Sequence, residues 1–248
     1  MAKRPAFFVN QRKVISEMYS FEWYSGFAVS QKQKSIKSLH DAIIKTDASA
    51  RPLEISSRST EAIGIRLSAF NLKINSYTLE NIFQSAKVFE NGGPYLDLLD
   101  VSPKEAKRDE RLQKSGSLKT FRYQNEDFPL IPQTVFYDFI YIAAIKQSFT
   151  TDDINTVLCY NYFTDIEFNP TKSINTQARA AAILKLIVDE YGYLPSFNKE
   201  DFIQFHKEHI FVDEFRFIGK LNSTKMRGCG TYGFYEGNKK RIISSLGI

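Results

Sequence analysis

The chain is short of the side chains from which most simple sites are built. It has two cysteines in 248 residues, Cys159 and Cys229, and they form no CxxC pair. That argues against a disulfide scaffold or a cysteine zinc ribbon, and the simplest setting is a reduced, cytoplasmic protein. It has three histidines. His206 and His209 stand at i, i+3, yet no cysteine or third histidine is near, so a surface pair is expected rather than a metal site. A Cys–His or Ser–His nucleophile has little material to draw on. No apolar run approaches the ~18 residues of a membrane span. The apolar run near the N-terminus is too brief for a secretory signal core, so no membrane partner is expected. Gly228, Gly230 and Gly233 spell G-x-G-x-x-G, but no apolar strand precedes them and too little chain follows for a dinucleotide fold. A P-loop, internal repeats and low-complexity tracts are also missing.

What remains is ordinary globular material, 43% hydrophobic and 25% charged, with 21 Phe, 13 Tyr and one Trp. Aromatic content of this kind packs a heavy core or presents rings to planar ligands. The net charge of +5 and pI near 9.0 favour an acidic partner, although the basic residues are dispersed. Trp23 and Tyr24 precede a Ser-Gly turn, where a core anchor and a stacking ring are both open readings.

The spacing predicts helices over 30–46, 103–114, 133–149, 152–159, 176–191 and 199–208. Short strands are expected at 53–57, 64–72 and 118–123, and the run 211–218 alternates likewise. Residues 1–19 show no clear period. Residues 162–175 read as an irregular polar loop of the kind that carries function.

The most informative stretch is 76–111. A helix over 76–89 places Glu80, Gln84 and Lys87 on one narrow face, opposite Leu79, Ile82, Phe83, Ala86 and Phe89. It is either an amphipathic surface helix or one whose polar stripe lines a site. A Gly-Gly-Pro turn stops it, and Ser102-Pro103 with Glu105 caps the charged helix that follows. Carboxylates are then the main chemistry left: Glu80, Asp97, Asp109, Asp165 and Glu167. Glycosidic hydrolysis needs a carboxylate to activate water, together with groups that stabilise a cationic sugar and protonate the leaving group.

At these residues the chain resembles a known family. LENIFQSAKVF (79–89) is similar to the "(V/S)EHYFQAQKF" motif of the NADAR (YbiA-like) family, and SPKEAKRDER (102–111) to its "SPxEAKxLGR". Blocks from WYSGF to FTDIEFNP resemble the subfamily found as antitoxins beside DarT-type DNA ADP-ribosyltransferases. The resemblance implies a mainly α (α-rich α+β), single compact helical domain over residues 1–192 with a few short strands; residues 193–248, which have no counterpart in the family and are too short to bury a good core alone, are expected as a C-terminal extension packed on it. It implies an N-glycosidic hydrolase that removes ADP-ribose from guanine bases of DNA and needs no cofactor and no metal. ADP-ribosylated DNA or ADP-ribose, and a DarT-type ADP-ribosyltransferase, are the implied partners. A small nucleotide-like metabolite as substrate, or non-catalytic ADP-ribose or nucleic-acid binding, are the alternatives. By position, Glu80 corresponds to the acid/base carboxylate, with Lys87 and Lys107 as active-site lysines. Trp23, Tyr24, Gln84, Asp97, Asp165 and Asn175 are the expected substrate contacts. The family's Trp-Gly-Asp-Gly loop is replaced here by residues 163–166, and its central-helix Trp by Phe136 and Tyr137, for which Trp23 is the expected substitute.

Overall fold

A computed structural model of the chain describes residues 1–169, 173 and 176–210. It opens on two long strands, β1 (Ala2–Asn10) and β2 (Lys13–Phe21), paired antiparallel from Ala2↔Phe21 to Asn10↔Lys13. Gln11 and Arg12 turn the chain with φ of 48° and 59°, the double left-handed conformation of a type I′ hairpin. Asn-Gly ordinarily announces that turn; Gln-Arg does not. Both faces of β1 are also covered. Phe7 belongs to the larger core cluster, while Ala6 lies in a smaller one with Phe8 packed on it. Consecutive residues are therefore apolar, and the period of two that marks a half-buried strand vanishes.

The sheet continues through β9 (Tyr162–Thr164) and β3 (Pro52–Glu54) in the order β2-β1-β9-β3. β9 is antiparallel to β1 and parallel to β3, with Glu54 opposite Thr164. Helix α1 (Val29–Thr46) covers one face through Ile36, Leu39 and Ile43. Helices α6 (Val135–Ser148) and α8 (Gln177–Tyr191) build the core on the other. In α8 the fully buried Ala178, Ala180, Ala181 and Ala182 let the helix lie close to the strands. Gly192, with φ 74°, ends it in the left-handed conformation glycine favours.

Helix α9 (Lys199–His209), within the stretch expected as an extension, packs on α6, Phe202 meeting Phe139 edge-on at 5.5 Å. All the described residues belong to one compact unit, 1–212. Buried charges pin its three core helices together. Arg179 Nη2 stands 3.2 Å from Asp138 Oδ1, His206 Nε2 3.0 Å from Asp138 Oδ2, and Thr134 donates to the same carboxylate at 2.8 Å. Burial alone would raise the Asp138 carboxyl. The Arg179 charge and the His206 and Thr134 hydrogen bonds outweigh it and hold the group below its ordinary value. His206 is therefore a core residue and not half of a surface pair.

The expectation of a mainly helical domain does not hold. The described residues are about 45% helix and 20% strand in three sheets, an α+β fold. Beyond β1 and β2, the extra strands come from segments read otherwise. The predicted helix over 76–89 is α3 (Leu79–Ser85) followed by β6 (Lys87–Phe89). β6 joins β7 (Leu118–Tyr123) and β8 (Glu126–Phe128) in a three-stranded meander. Conversely, the predicted strand 64–72 is helix α2 (Ala62–Arg66) and a turn, with Ile63, Gly64 and Leu67 buried at helical spacing. A Cβ on Gly64 would meet the Glu54 carbonyl oxygen at 2.1 Å, so glycine is what lets α2 sit against β3. The charged segment splits into α4 (Pro103–Arg108) and α5 (Arg111–Lys114). The alternating run 211–218 and the Gly228–Gly233 pattern lie outside the described residues. No helix among the described residues is long and apolar enough to cross a membrane.

Candidate active site

Helix α3 is short and wholly buried, polar stripe included. Thr78 caps it by accepting from Asn81 N. Its first amides reach outside the helix, Leu79 N to Leu72 O at 2.9 Å and Glu80 N to Ala69 O at 3.2 Å. Asn81 Nδ2 donates to Leu98 O and Val101 O, which fixes the turn leading to α4. Ser102 and Glu105 cap α4 reciprocally, and Ala106, fully buried, seats it. Lys107 is thereby carried over the start of α3. On the other side, Lys87 leaves α3 at the first position of β6. Gly93 crosses behind it with φ 87°, and a Cβ there would lie 2.2 Å from Lys87 O.

These supports bring four polar side chains into one chain of contacts. Lys87 Nζ donates to Gln84 Oε1 at 2.6 Å, Gln84 Nε2 donates to Glu80 Oε1 at 2.8 Å, and Lys107 Nζ stands 3.7 Å from the same oxygen. The Glu80 side chain is 7% exposed and that of Lys107 57%, so the cluster runs from the interior to solvent. Lys87 lies over the Phe83 ring at 4.9 Å. Burial and the Lys107 charge lower its ammonium to about 8, against the pull of Glu80. The arrangement is a buried carboxylate held between two ammonium groups, one of them poised to give up its proton near neutral pH.

The family described as DarT1-associated NADAR antitoxin matches residues 2–214. The chain belongs to this family. No curated protein matches it.

In this NADAR chain a second polar cluster forms where β3 and β9 end. Asp165 Oδ1 accepts from Glu167 N and Phe168 N, each at 3.1 Å. Glu54, also buried, accepts from Thr164 Oγ1 at 2.6 Å and Ile166 N at 2.8 Å. His40 Nε2 meets Thr164 Oγ1 at 2.9 Å. The Thr164 proton goes to Glu54, so His40 donates, and burial lowers its ring to about 4 and keeps it neutral. Burial raises both carboxyls, Glu54 with a further push from Glu167, and Asp165, which also faces Glu54, to about 8. Asp165 therefore holds its proton near neutral pH. The buried Tyr137 hydroxyl is raised first by burial, then by Tyr141, Glu80 and Asp165.

The other expected contacts stand further out in the NADAR fold. Trp23 is half-buried at the end of β2, with Arg4 at 5.4 Å and Lys32 at 4.5 Å from its ring. Lys32 also pairs with Glu167 at 3.5 Å, which joins Trp23 to the segment after Asp165. Tyr24 donates its backbone amide to Ser35 Oγ and its hydroxyl to Glu22. Asp97 is not brought to Glu80. It pairs with Arg111 at 2.5 Å on the surface, where Arg111 also lies over Tyr95. Asn175 lies outside the described residues. Sequence reasoning missed Glu54, His40 and Thr164, and named Tyr137 only as a replacement for the family's central-helix Trp. The usable signal was Glu54 at the end of a short strand, since sites gather at the C-terminal ends of parallel strands. Among the described residues no group of three or more His, Cys, Asp or Glu is placed to hold a metal ion.

Proposed function

We propose that this NADAR antitoxin hydrolyses the N-glycosidic bond joining ADP-ribose to a guanine base of DNA, and so reverses modification by a DarT-type ADP-ribosyltransferase. The observation that carries the reading is the buried Glu80 carboxylate between Lys87 and Lys107. Glu80 takes a proton from water as the water oxygen bonds to the anomeric carbon, and its charge stabilises the cationic sugar in the transition state. The carbon–nitrogen bond breaks, and Lys87 gives a proton to the departing amino nitrogen. A donor with a pKa near the working pH suits that transfer. Lys107, nearer solvent, meets the diphosphate. The products are ADP-ribose and unmodified guanine. Asp165 is the substrate contact that the family pattern assigns to the polar segment after β9, and membership of an antitoxin family supports the biological role.

The test is release of ADP-ribose from oligonucleotides modified on guanine or on thymine, with free ADP-ribosyl nucleosides alongside. The expected result is release from the guanine substrate alone, lost in Glu80→Gln at unchanged thermal stability. Full activity in Glu80→Gln overturns the mechanism. Cleavage of the free nucleosides but not of DNA reassigns the substrate to a small metabolite, and binding without release from any of them makes the protein a non-catalytic binder.

A further inference from the structure

One aromatic ring at this site belongs to neither the core nor the polar cluster. Phe70 is 41% exposed, while its neighbours Ala69 and Leu72 are buried at 4% and 2%. Single exposed apolar side chains are common and usually mean nothing. Phe70 differs in how firmly it is presented. Ala69 N donates to Gln177 Oε1 at 2.8 Å, a buried contact from the start of α8. Ala69 O receives Glu80 N, Leu72 O receives Leu79 N, and Asn71 N and Leu72 N both close on Ser68 O at 2.8 Å. The backbone on either side of Phe70 is thus bonded to the first residues of α3, and the ring is fixed in register with Glu80.

The ring also has a cation beside it. Lys107 Nζ lies 5.6 Å from its centroid and 3.7 Å from Glu80 Oε1. Carboxylate, ammonium and an exposed aromatic ring therefore stand together. A planar base stacks on such a ring, and an ammonium beside it meets a phosphate or the electron-rich edge of the base. Nothing in the hydrolytic chemistry at Glu80 requires an exposed ring, and a core role would bury it.

We propose that Phe70 is the stacking platform for a purine of the substrate, held beside Glu80 by the Ala69 and Leu72 backbone bonds. The proposal rests on the hydrolase reading for the identity of its ligand, whose purine is either the modified guanine or the adenine of ADP-ribose. Phe70 acts through binding, so its loss raises KM more than it lowers kcat. Alanine replacement of a base-stacking ring costs about tenfold to a hundredfold in affinity.

The experiment compares Phe70→Ala, Phe70→Leu and Phe70→Tyr, each checked by thermal unfolding. Binding is measured to free ADP-ribose, to an unmodified guanine oligonucleotide and to the modified oligonucleotide, and steady-state kinetics are run on the last. The expected result is weakening by about tenfold or more in the Ala and Leu variants and near wild-type binding in the Tyr variant. The ligand that loses affinity identifies which purine stacks. Wild-type affinity of Phe70→Leu for all three ligands overturns the proposal. The two readings fail separately. A wild-type protein that releases no ADP-ribose, yet loses purine affinity in Phe70→Leu, refutes the hydrolase reading and leaves the platform standing. Normal release with unchanged affinity in the variants does the reverse.

Discussion

The proton affinity of Lys87 is set by two neighbours of opposite sign, so two substitutions should move it in opposite directions. Burial and Lys107 lower it, to about 8, and Glu80 pulls the other way. At an effective dielectric near 20, unit charges about 4 Å apart interact by about 4 kcal/mol, and the interaction falls inversely with their separation. The Lys107 side chain is 57% exposed, so solvent screening cuts its share to about 0.5–1 kcal/mol. With 1.36 kcal/mol per pKa unit, Lys107→Met should raise Lys87 by about half a unit. The Glu80 side chain is only 7% exposed and its share is less screened, so Glu80→Gln should lower Lys87 by about one unit. The substituted side chain keeps an oxygen to accept from Gln84 Nε2, so packing is preserved.

The assay is NMR of protein labelled at the lysine 13Cε, with Lys87 assigned by a Lys87→Arg variant and followed from pH 6 to 11. It needs no catalysis, so inactive variants can be titrated. In the wild type the same proton should end activity on the alkaline side, with kcat/KM falling above about 8. A Lys87 resonance that stays put in both variants, or moves the same way in both, refutes the electrostatic account of the cluster. Opposite shifts with no alkaline fall in rate would keep the electrostatics and remove Lys87 as the proton donor.

Three further outcomes are expected. The Asp165 carboxyl is raised in the folded state above its unfolded value of ~3.9, so the native protein holds the extra proton and stability from this group is lost as pH rises from about 4 through about 8. Asp165→Asn should flatten that slope in urea titrations between pH 5 and 8, and a slope equal to wild type would contradict the assignment. Gly93→Ala forces a Cβ to 2.2 Å from Lys87 O at φ 87°. It should cost at least about 1–3 kcal/mol, seen as a melting point several degrees lower together with reduced activity. Asp138→Asn breaks a buried ion pair and should cost about 3–5 kcal/mol by urea unfolding, and a loss within about 0.5 kcal/mol, the range of an ordinary surface substitution, would mean that the network does not hold the helices.

The helices were the legible part of this fold because their signals are local. Ser102 and Glu105 form the capping box that their spacing implies, with Pro103 in the first turn. Gly192 ends α8 where a stop was expected. The strands depend on partners distant in sequence. β9 exists because Phe163 pairs with Phe7 and Leu53, and nothing within 162–164 announces those neighbours. β6 follows α3 directly, and a helical period continues through 86–89 by coincidence. The cost of that coincidence was small for the site, because a strand that starts at Lys87 still delivers its ammonium to Gln84.

The same contrast explains which functional groups could be read in advance. Glu80, Gln84 and Lys87 lie within one short segment, and Lys107 follows in a motif of its own, so the family pattern reached all four. The Glu54–Asp165 pair is assembled from strands far apart in sequence, with Glu54 opposite Thr164 in parallel register. Parallel strands that end together put their last residues at one edge, and polar groups there must be satisfied or used. Glu54 is satisfied by Thr164 and the Ile166 amide. Asp165 accepts on one oxygen from two amides, and Tyr137 lies in its field and in that of Glu80. Burial and the neighbouring Glu54 raise Asp165 to about 8, so it keeps its proton near neutral pH. In the first cluster burial likewise moves Lys87 toward neutrality, to about 8, against the pull of Glu80. Each cluster therefore carries one group that burial brings to titrate near 8, an ammonium in one and a carboxylic acid in the other.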